Sequence, residues 1–168
     1  MVTHSTEPSL GGATPMPRIN PTPEPLRHED QLDYTPVPRS VALARHRTTR
    51  LVAEWGHPHL AGDVALVASE LMTNALLHGS LRDRLIRLRI IATAAMLRVE
   101  VSDPRGERLP CPRDATGEDQ FGRGLALVGA LADGWGVAPR VGVGKTVWAE
   151  WGLGLTLCGG DPLARTRE

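Results

Sequence analysis

The chain of 168 residues has two cysteines, one tyrosine, one phenylalanine and a single lysine, and no surplus of either charge. Two thiols, Cys111 and Cys158, are too few for a disulfide framework or a four-thiolate metal centre. With 19 basic and 19 acidic side chains and a pI near 7.0, it lacks the positive excess by which proteins hold nucleic acid or anionic membrane through bulk charge. No apolar run approaches the ~20 residues of a membrane span, and the first thirty residues lack the apolar core of a signal peptide. These absences predict a cytoplasmic protein that makes no direct contact with nucleic acid or membrane. The length suits one domain with tails.

Proline is present but unevenly spread: eight of the 14 lie in the first 38 residues. The stretch from Met1 to Leu32 has no apolar period of helix or strand, so it cannot bury enough surface to offset its ordering entropy. Residues 1–33 are therefore expected to be a disordered extension, 34–152 the folded domain and 153–168 a tail. Within the domain, Pro38-Arg39-Ser40 opens a helix carrying Val41, Leu43, Ala44, Leu51, Val52 and Trp55, and Gly56 stops it. The loop Gly56-His57-Pro58-His59 has two histidines and no third ligand at metal spacing. A second helix spans about Leu60 to His78, with Val64, Val67, Ala68, Leu71, Ala75 and Leu76 as its apolar stripe. Leu85–Ile91 and Met96–Asp103 alternate with period two around Thr93-Ala94-Ala95 and predict a hairpin. Pro104–Gly122 is a long aperiodic loop, of the length that is usually functional. A short helix lies between Gly124 and Gly134, and two strands follow at Trp135–Ala138 and Lys145–Trp151.

Four places put polar groups or glycines where packing alone does not ask for them. Glu70, Asn74 and His78 recur every fourth residue along a stripe ~80° wide. The stripe reads either as a solvated helix edge or as a carboxylate placed to act as base one turn from an amide ligand for a hard cation. Asp103 continues the buried row of Leu97, Val99 and Val101; it either caps the turn at Pro104-Arg105-Gly106 or awaits a ligand donor. Gly122-Arg123-Gly124 precedes the short helix and leaves its first N–H groups open to phosphate. Gly142-Val143-Gly144-Lys145-Thr146 is superficially like a P-loop. However, the first glycine of that motif would fall on Pro139, and the required helix is replaced by the strand pattern Val147-Trp148-Ala149-Glu150-Trp151.

In this order the four places resemble the motif boxes of the GHKL ATPases, the superfamily of histidine kinases, gyrase and mismatch-repair ATPases. Glu70-Leu71-Met72-Thr73-Asn74-Ala75-Leu76-Leu77-His78 is similar to the N-box in its anti-sigma-factor serine-kinase form. Val99-Glu100-Val101-Ser102-Asp103 resembles the first glycine box, Gly122-Arg123-Gly124-Leu125 the second and Gly144-Lys145-Thr146-Val147-Trp148 the third. The resemblance runs from about Tyr34 to Trp151. It implies the Bergerat-type fold, an α+β two-layer sandwich whose mixed or antiparallel sheet is covered on one face by helices.

The same resemblance implies ATP and Mg²⁺ as ligands. Glu70 would be the general base and Asn74 the Mg²⁺ ligand. Asp103 would accept the adenine exocyclic N–H with Thr146 near the base, and Gly106, Gly122, Gly124 and Leu125 would lie along the nucleotide. In the anti-sigma branch the acceptor is a serine of an anti-anti-sigma antagonist, and the domain sequesters a sigma factor as a homodimer. The first box departs from the pattern: its two glycine slots hold Arg105 and Glu107, with only Gly106 between. A second expectation therefore stands beside the kinase, a partner-switching module that acts by docking alone.

Overall fold

The computed structural model describes residues 24–106, 120–140 and 142–154. Most of the expected extension, the loop residues 107–119 with Cys111, and the tail from 155 with Cys158 lie outside the described residues.

Five strands form one sheet in the order β1-β2-β3-β5-β4, with every neighbour antiparallel: β1 His28–Tyr34, β2 Ile86–Ala92, β3 Met96–Asp103, β4 Gly134–Pro139 and β5 Lys145–Gly152. Three helices, α1 Pro38–Glu54, α2 Ala61–Asn74 and α3 Gln120–Leu131, complete the α+β fold. Alternation along the central strands decides which face the helices cover. Ile86, Leu88, Ile90, Leu97, Val99, Val101, Val147, Ala149 and Trp151 are buried and form the core with Val64, Val67, Ala68, Leu71 and Met72 of α2. Each large apolar side chain buried this way contributes on the order of 1.5–3 kcal/mol.

The helices begin and end for local reasons. Pro38 occupies the first turn of α1, where its missing N–H costs nothing, and Val37 ahead of it is extended. The chain turns out of α1 at Gly56, whose φ of +93° suits glycine, and the His57 N–H bonds Val52 O at 3.0 Å. The buried stripe of α1 is Ser40, Ala44, Thr48 and Val52, small enough to let α1 lie closely on α2. Its hydroxyls are satisfied locally, Ser40 Oγ on Thr35 O at 2.7 Å and Thr48 Oγ1 on Ala44 O at 2.9 Å. Helix α2 is buried along most of its length.

The opposite face of the sheet carries a self-neutralised ladder. Arg87 grips Asp33 through two bonds of 2.7 and 2.9 Å, and its guanidinium holds the Asp33 carboxyl below the usual range. Arg89 bridges Glu29 and Glu100, while Arg98 reaches Glu150 and lies 4.1 Å over the Trp148 ring. Arg87, Arg89, Arg98 and Glu100 share this face, as the hairpin's alternation predicts. Being half exposed, each pair contributes little, about 0–1 kcal/mol.

The strand β1 corrects the expected extension, because residues 28–33 are an ordered edge strand running against β2. Arg47 of α1 ties Asp30 of this strand to the helical layer, its Nε donating at 2.8 Å.

Beside β1, His28 stacks on Trp55 at 5.1 Å, and His57 meets His59 edge-on at 6.2 Å. Burial, with the neighbouring His59 and His28 charges, holds the His57 imidazole below its ordinary 6.5. The folded state thus prefers this ring neutral, and the unfolded chain takes up the proton first. The stability it contributes is complete above about pH 6.5 and is lost as pH falls through the lower folded value. Urea midpoints measured from pH 7.5 down to 5.5 should therefore fall, with a shallower decline in His57→Gln.

Candidate functional site

The site lies where the C-terminal end of α2 meets the ends of β3 and β5. Glu70 and Asn74 are one turn apart in the last part of α2, both half-buried. They face the start of α3: a Cβ placed on Gly124 would stand 2.8 Å from Glu70 Oε2 and 3.9 Å from Asn74 Nδ2. A side chain there would press on the carboxylate, so glycine is what permits the approach. Leu125 turns into the core at 4% exposure. The pair Gly122 and Gly124 lies within the first turns of α3, which starts at Gln120; the sequence places the helix start just after them.

After Asn74 the helix does not stop but widens into a π-helical segment, Ala75–Gly79. Such segments break the regular ladder and are frequent at functional sites. This one carries the chain from Asn74 to Gly79, and Gly79 packs directly on Asp103. A Cβ at Gly79 would come 2.3 Å from Asp103 Cγ. On the other side Gly144, at φ +122°, lies so close that a Cβ would sit 2.0 Å from Asp103 O. Gly106 in turn abuts Gly144, its Cβ direction meeting Gly144 O at 3.1 Å. Glycines thus pack on Asp103 from two directions, Gly79 on its carboxyl group and Gly144 on its backbone carbonyl.

Asp103 is 1% exposed at the inner end of β3, where a charge must be paired and hydrogen-bonded to persist. Its partner is Lys145, directly opposite across the β3–β5 ladder. Lys145 Nζ stands 3.0 Å from Oδ1 and 3.0 Å from Oδ2, and donates to Arg105 O at 2.8 Å. The Arg105 N–H donates to Oδ1 at 2.9 Å, so Asp103 also closes the turn that its sequence position suggests. Lys145 is 6% exposed.

Thr146 is not brought to this pocket. Neighbouring residues of a strand point to opposite faces, so with Lys145 inward Thr146 lies on the ladder face, its hydroxyl 2.8 Å from that of Ser102. The box resemblance draws attention to Thr146, whereas the alternation of Lys145 with Val147, Ala149 and Trp151 carries the signal for Lys145. Gly79 is legible in the sequence only as a helix stop; its role beside Asp103 depends on a contact between the end of the helix and β3.

The residues present suit a magnesium nucleotide. Among the described residues, the side chains of Glu70 and Asn74 make no hydrogen bond or ion pair, and no group of three His, Cys, Asp or Glu side chains is placed to hold a metal by itself. The Asn74 amide oxygen suits Mg²⁺, which takes few protein oxygens and completes its octahedron with substrate phosphates and water, and the Glu70 carboxylate one turn away is left for the proton.

A sheet covered on one face by helices is the fold of an ATPase domain of the histidine kinase type. The family profile of the histidine kinase-like ATPase domain matches residues 34–151, and the chain belongs to this family. Among solved structures it is similar to the RsbU and RsbW domains of Rv1364c from Mycobacterium tuberculosis. That match has 20% identity and a TM-score of 0.57, over 74% of this chain and 32% of that one. The chain thus spans about a third of that solved chain, and the likeness is one of fold. A second match, the histidine kinase domain of the blue-light activated histidine kinase from Erythrobacter litoralis EL346, has 24% identity and a TM-score of 0.44, over 66% of this chain and 60% of that one. No curated protein matches. Among the described residues no helix is long and apolar enough to cross a membrane.

Proposed function

We propose that this protein is an ATP-dependent serine kinase of the anti-sigma type, which phosphorylates an antagonist protein and, as a homodimer, sequesters a sigma factor. The observation that carries the reading is the placement of Glu70 and Asn74 against Gly124, one π-helical segment away from the enclosed Asp103. Asp103 accepts from the adenine amino group. Asn74 holds Mg²⁺ through its amide oxygen. When bound, the ion neutralises charge on the phosphates. Glu70 takes the proton of the incoming serine hydroxyl. The serine oxygen bonds to the γ-phosphorus as the bond to the β,γ-bridging oxygen breaks, leaving ADP and phosphoserine. Open N–H groups in the first turn of α3 face the phosphates, and the Gly122 and Gly124 backbone allows that approach.

A second reading is favoured by Arg105 and by the engagement of Asp103 with Lys145. In it the domain holds ATP, or works without it, and switches partners by docking alone.

Titration of the full chain with ATP, with and without Mg²⁺, tests the shared premise. Wild type should bind ATP more tightly with Mg²⁺, and Asp103→Asn should weaken binding by about tenfold, the value of one lost charge-assisted hydrogen bond. Equal affinity in the variant would remove Asp103 from the base. With labelled ATP and a candidate antagonist, phosphoserine marks the kinase reading; tight binding without transfer marks the docking module.

A further inference from the structure

We infer that Lys145 is the residue that selects the base, its ammonium donating to the N1 acceptor of adenine beside Asp103. The inference rests on the reading of this site as an ATP site.

The pair is built asymmetrically. An ammonium carries three protons; two are donated, to Asp103 Oδ1 at 3.0 Å and to Arg105 O at 2.8 Å, and the third makes no hydrogen bond among the described residues. A carboxylate has about four lone-pair positions. Here Oδ1 receives Lys145 and the Arg105 N–H, whereas Oδ2 faces the ammonium at 3.0 Å as an ion pair and accepts no hydrogen bond among the described residues. A spare donor and a spare acceptor therefore stand side by side, in a place almost closed to water. Adenine presents the complementary edge, an N6–H donor next to the N1 acceptor. Guanine in the same orientation presents the reverse, an oxygen acceptor at C6 and an N–H donor at N1, and would set like against like at both positions.

The choice of residue fits this role. Lys145 is the chain's single lysine among 19 basic side chains. An arginine here would place its planar fork on both carboxylate oxygens and leave no acceptor for the base. A compact ammonium neutralises Asp103 while leaving a position open. A counterion needed only for stability would show no dependence on the atoms of the base.

The test is ligand-side, so it does not depend on a variant folding. Affinities of wild-type full chain are measured for ATP, GTP, 1-deaza-ATP (N1 replaced by C–H) and 7-deaza-ATP, which keeps N1. The expected result is binding weakened about tenfold or more for 1-deaza-ATP, the consequence of leaving a buried charged donor unpaired. GTP should weaken at least as much, and 7-deaza-ATP should match ATP. In Lys145→Met, checked for folding by its melting transition, ATP and 1-deaza-ATP should bind alike. Equal binding of ATP and 1-deaza-ATP by wild type would make Lys145 a counterion only and overturn the inference. Tighter ATP binding by Lys145→Met would overturn it as well, showing the lysine to be an obstruction. Failure of wild type to bind any of the four nucleotides would overturn the ATP reading itself, and with it the inference.

Discussion

Replacing Glu70 by alanine should reduce phosphoryl transfer to the antagonist serine by about 10²–10⁴-fold, the usual contribution of a positioned general base, while ATP affinity changes little. Glu70 is half-buried near the end of α2, and alanine is the best helix former, so the helix should persist. Glu70→Gln keeps the shape and loses the base, so it should follow the alanine variant in transfer rate. Single-turnover formation of labelled phosphoserine, with ATP titration and a melting curve on each protein, separates loss of chemistry from loss of binding or fold. Transfer at the wild-type rate by both variants would take Glu70 out of the reaction, whatever its position against Gly124.

Stability should depend most sharply on the Asp103–Lys145 pair. Asp103→Leu leaves the Lys145 ammonium at 6% exposure without its carboxylate, and Lys145→Met leaves the carboxylate at 1% exposure without its cation. Each single change should cost about 3–5 kcal/mol, as breaking one side of a buried ion pair does. The double variant should recover most of that loss, because two apolar side chains of similar size remove the uncompensated charge. Urea denaturation of the four proteins gives the coupling energy directly. Additive losses would mean that the two groups do not depend on each other for burial, contrary to the distances of 3.0 Å between them. The same cycle bears on nucleotide binding: the double variant, if folded, should not bind ATP, because it retains neither acceptor nor donor for the base.

Much of the fold is legible in the order of the residues. The β2–β3 hairpin, β5 and the buried face of α2 follow from periodicity, which reflects only how neighbouring residues point and so needs no tertiary contact to be read. The strand β1 is hidden because His28–Tyr34 has no apolar alternation: six of its seven residues are exposed or half-exposed, and only Tyr34 is buried. It is held by partners far along the chain, Arg87 on Asp33 and Arg89 on Glu29 at separations of 54 and 60 residues. Local propensity starts α3 too late because glycine is a poor helix former, yet the helix runs through Gly122 and Gly124. In the candidate site, Glu70, Asn74, Gly124 and Asp103 are all legible, the first two from helical spacing and Asp103 from its place in a buried row. Lys145 is conspicuous in the sequence but has no role there, and Thr146, which the box resemblance puts near the base, shares the ladder face with Ser102.

Spacing along the chain is enough to settle most of the elements, the buried face of the sheet and the residue types available for chemistry, because these depend on near neighbours. Which of those residues meet is settled by contacts between distant segments. The antiparallel register of β3 with β5 sets Asp103 opposite Lys145 across 42 residues, and the packing of the π-helical segment on β3 brings Gly79 against the same carboxylate. A shift of one residue in that register would exchange Lys145 for Thr146 beside Asp103, since each step along a strand turns the side chain to the other face.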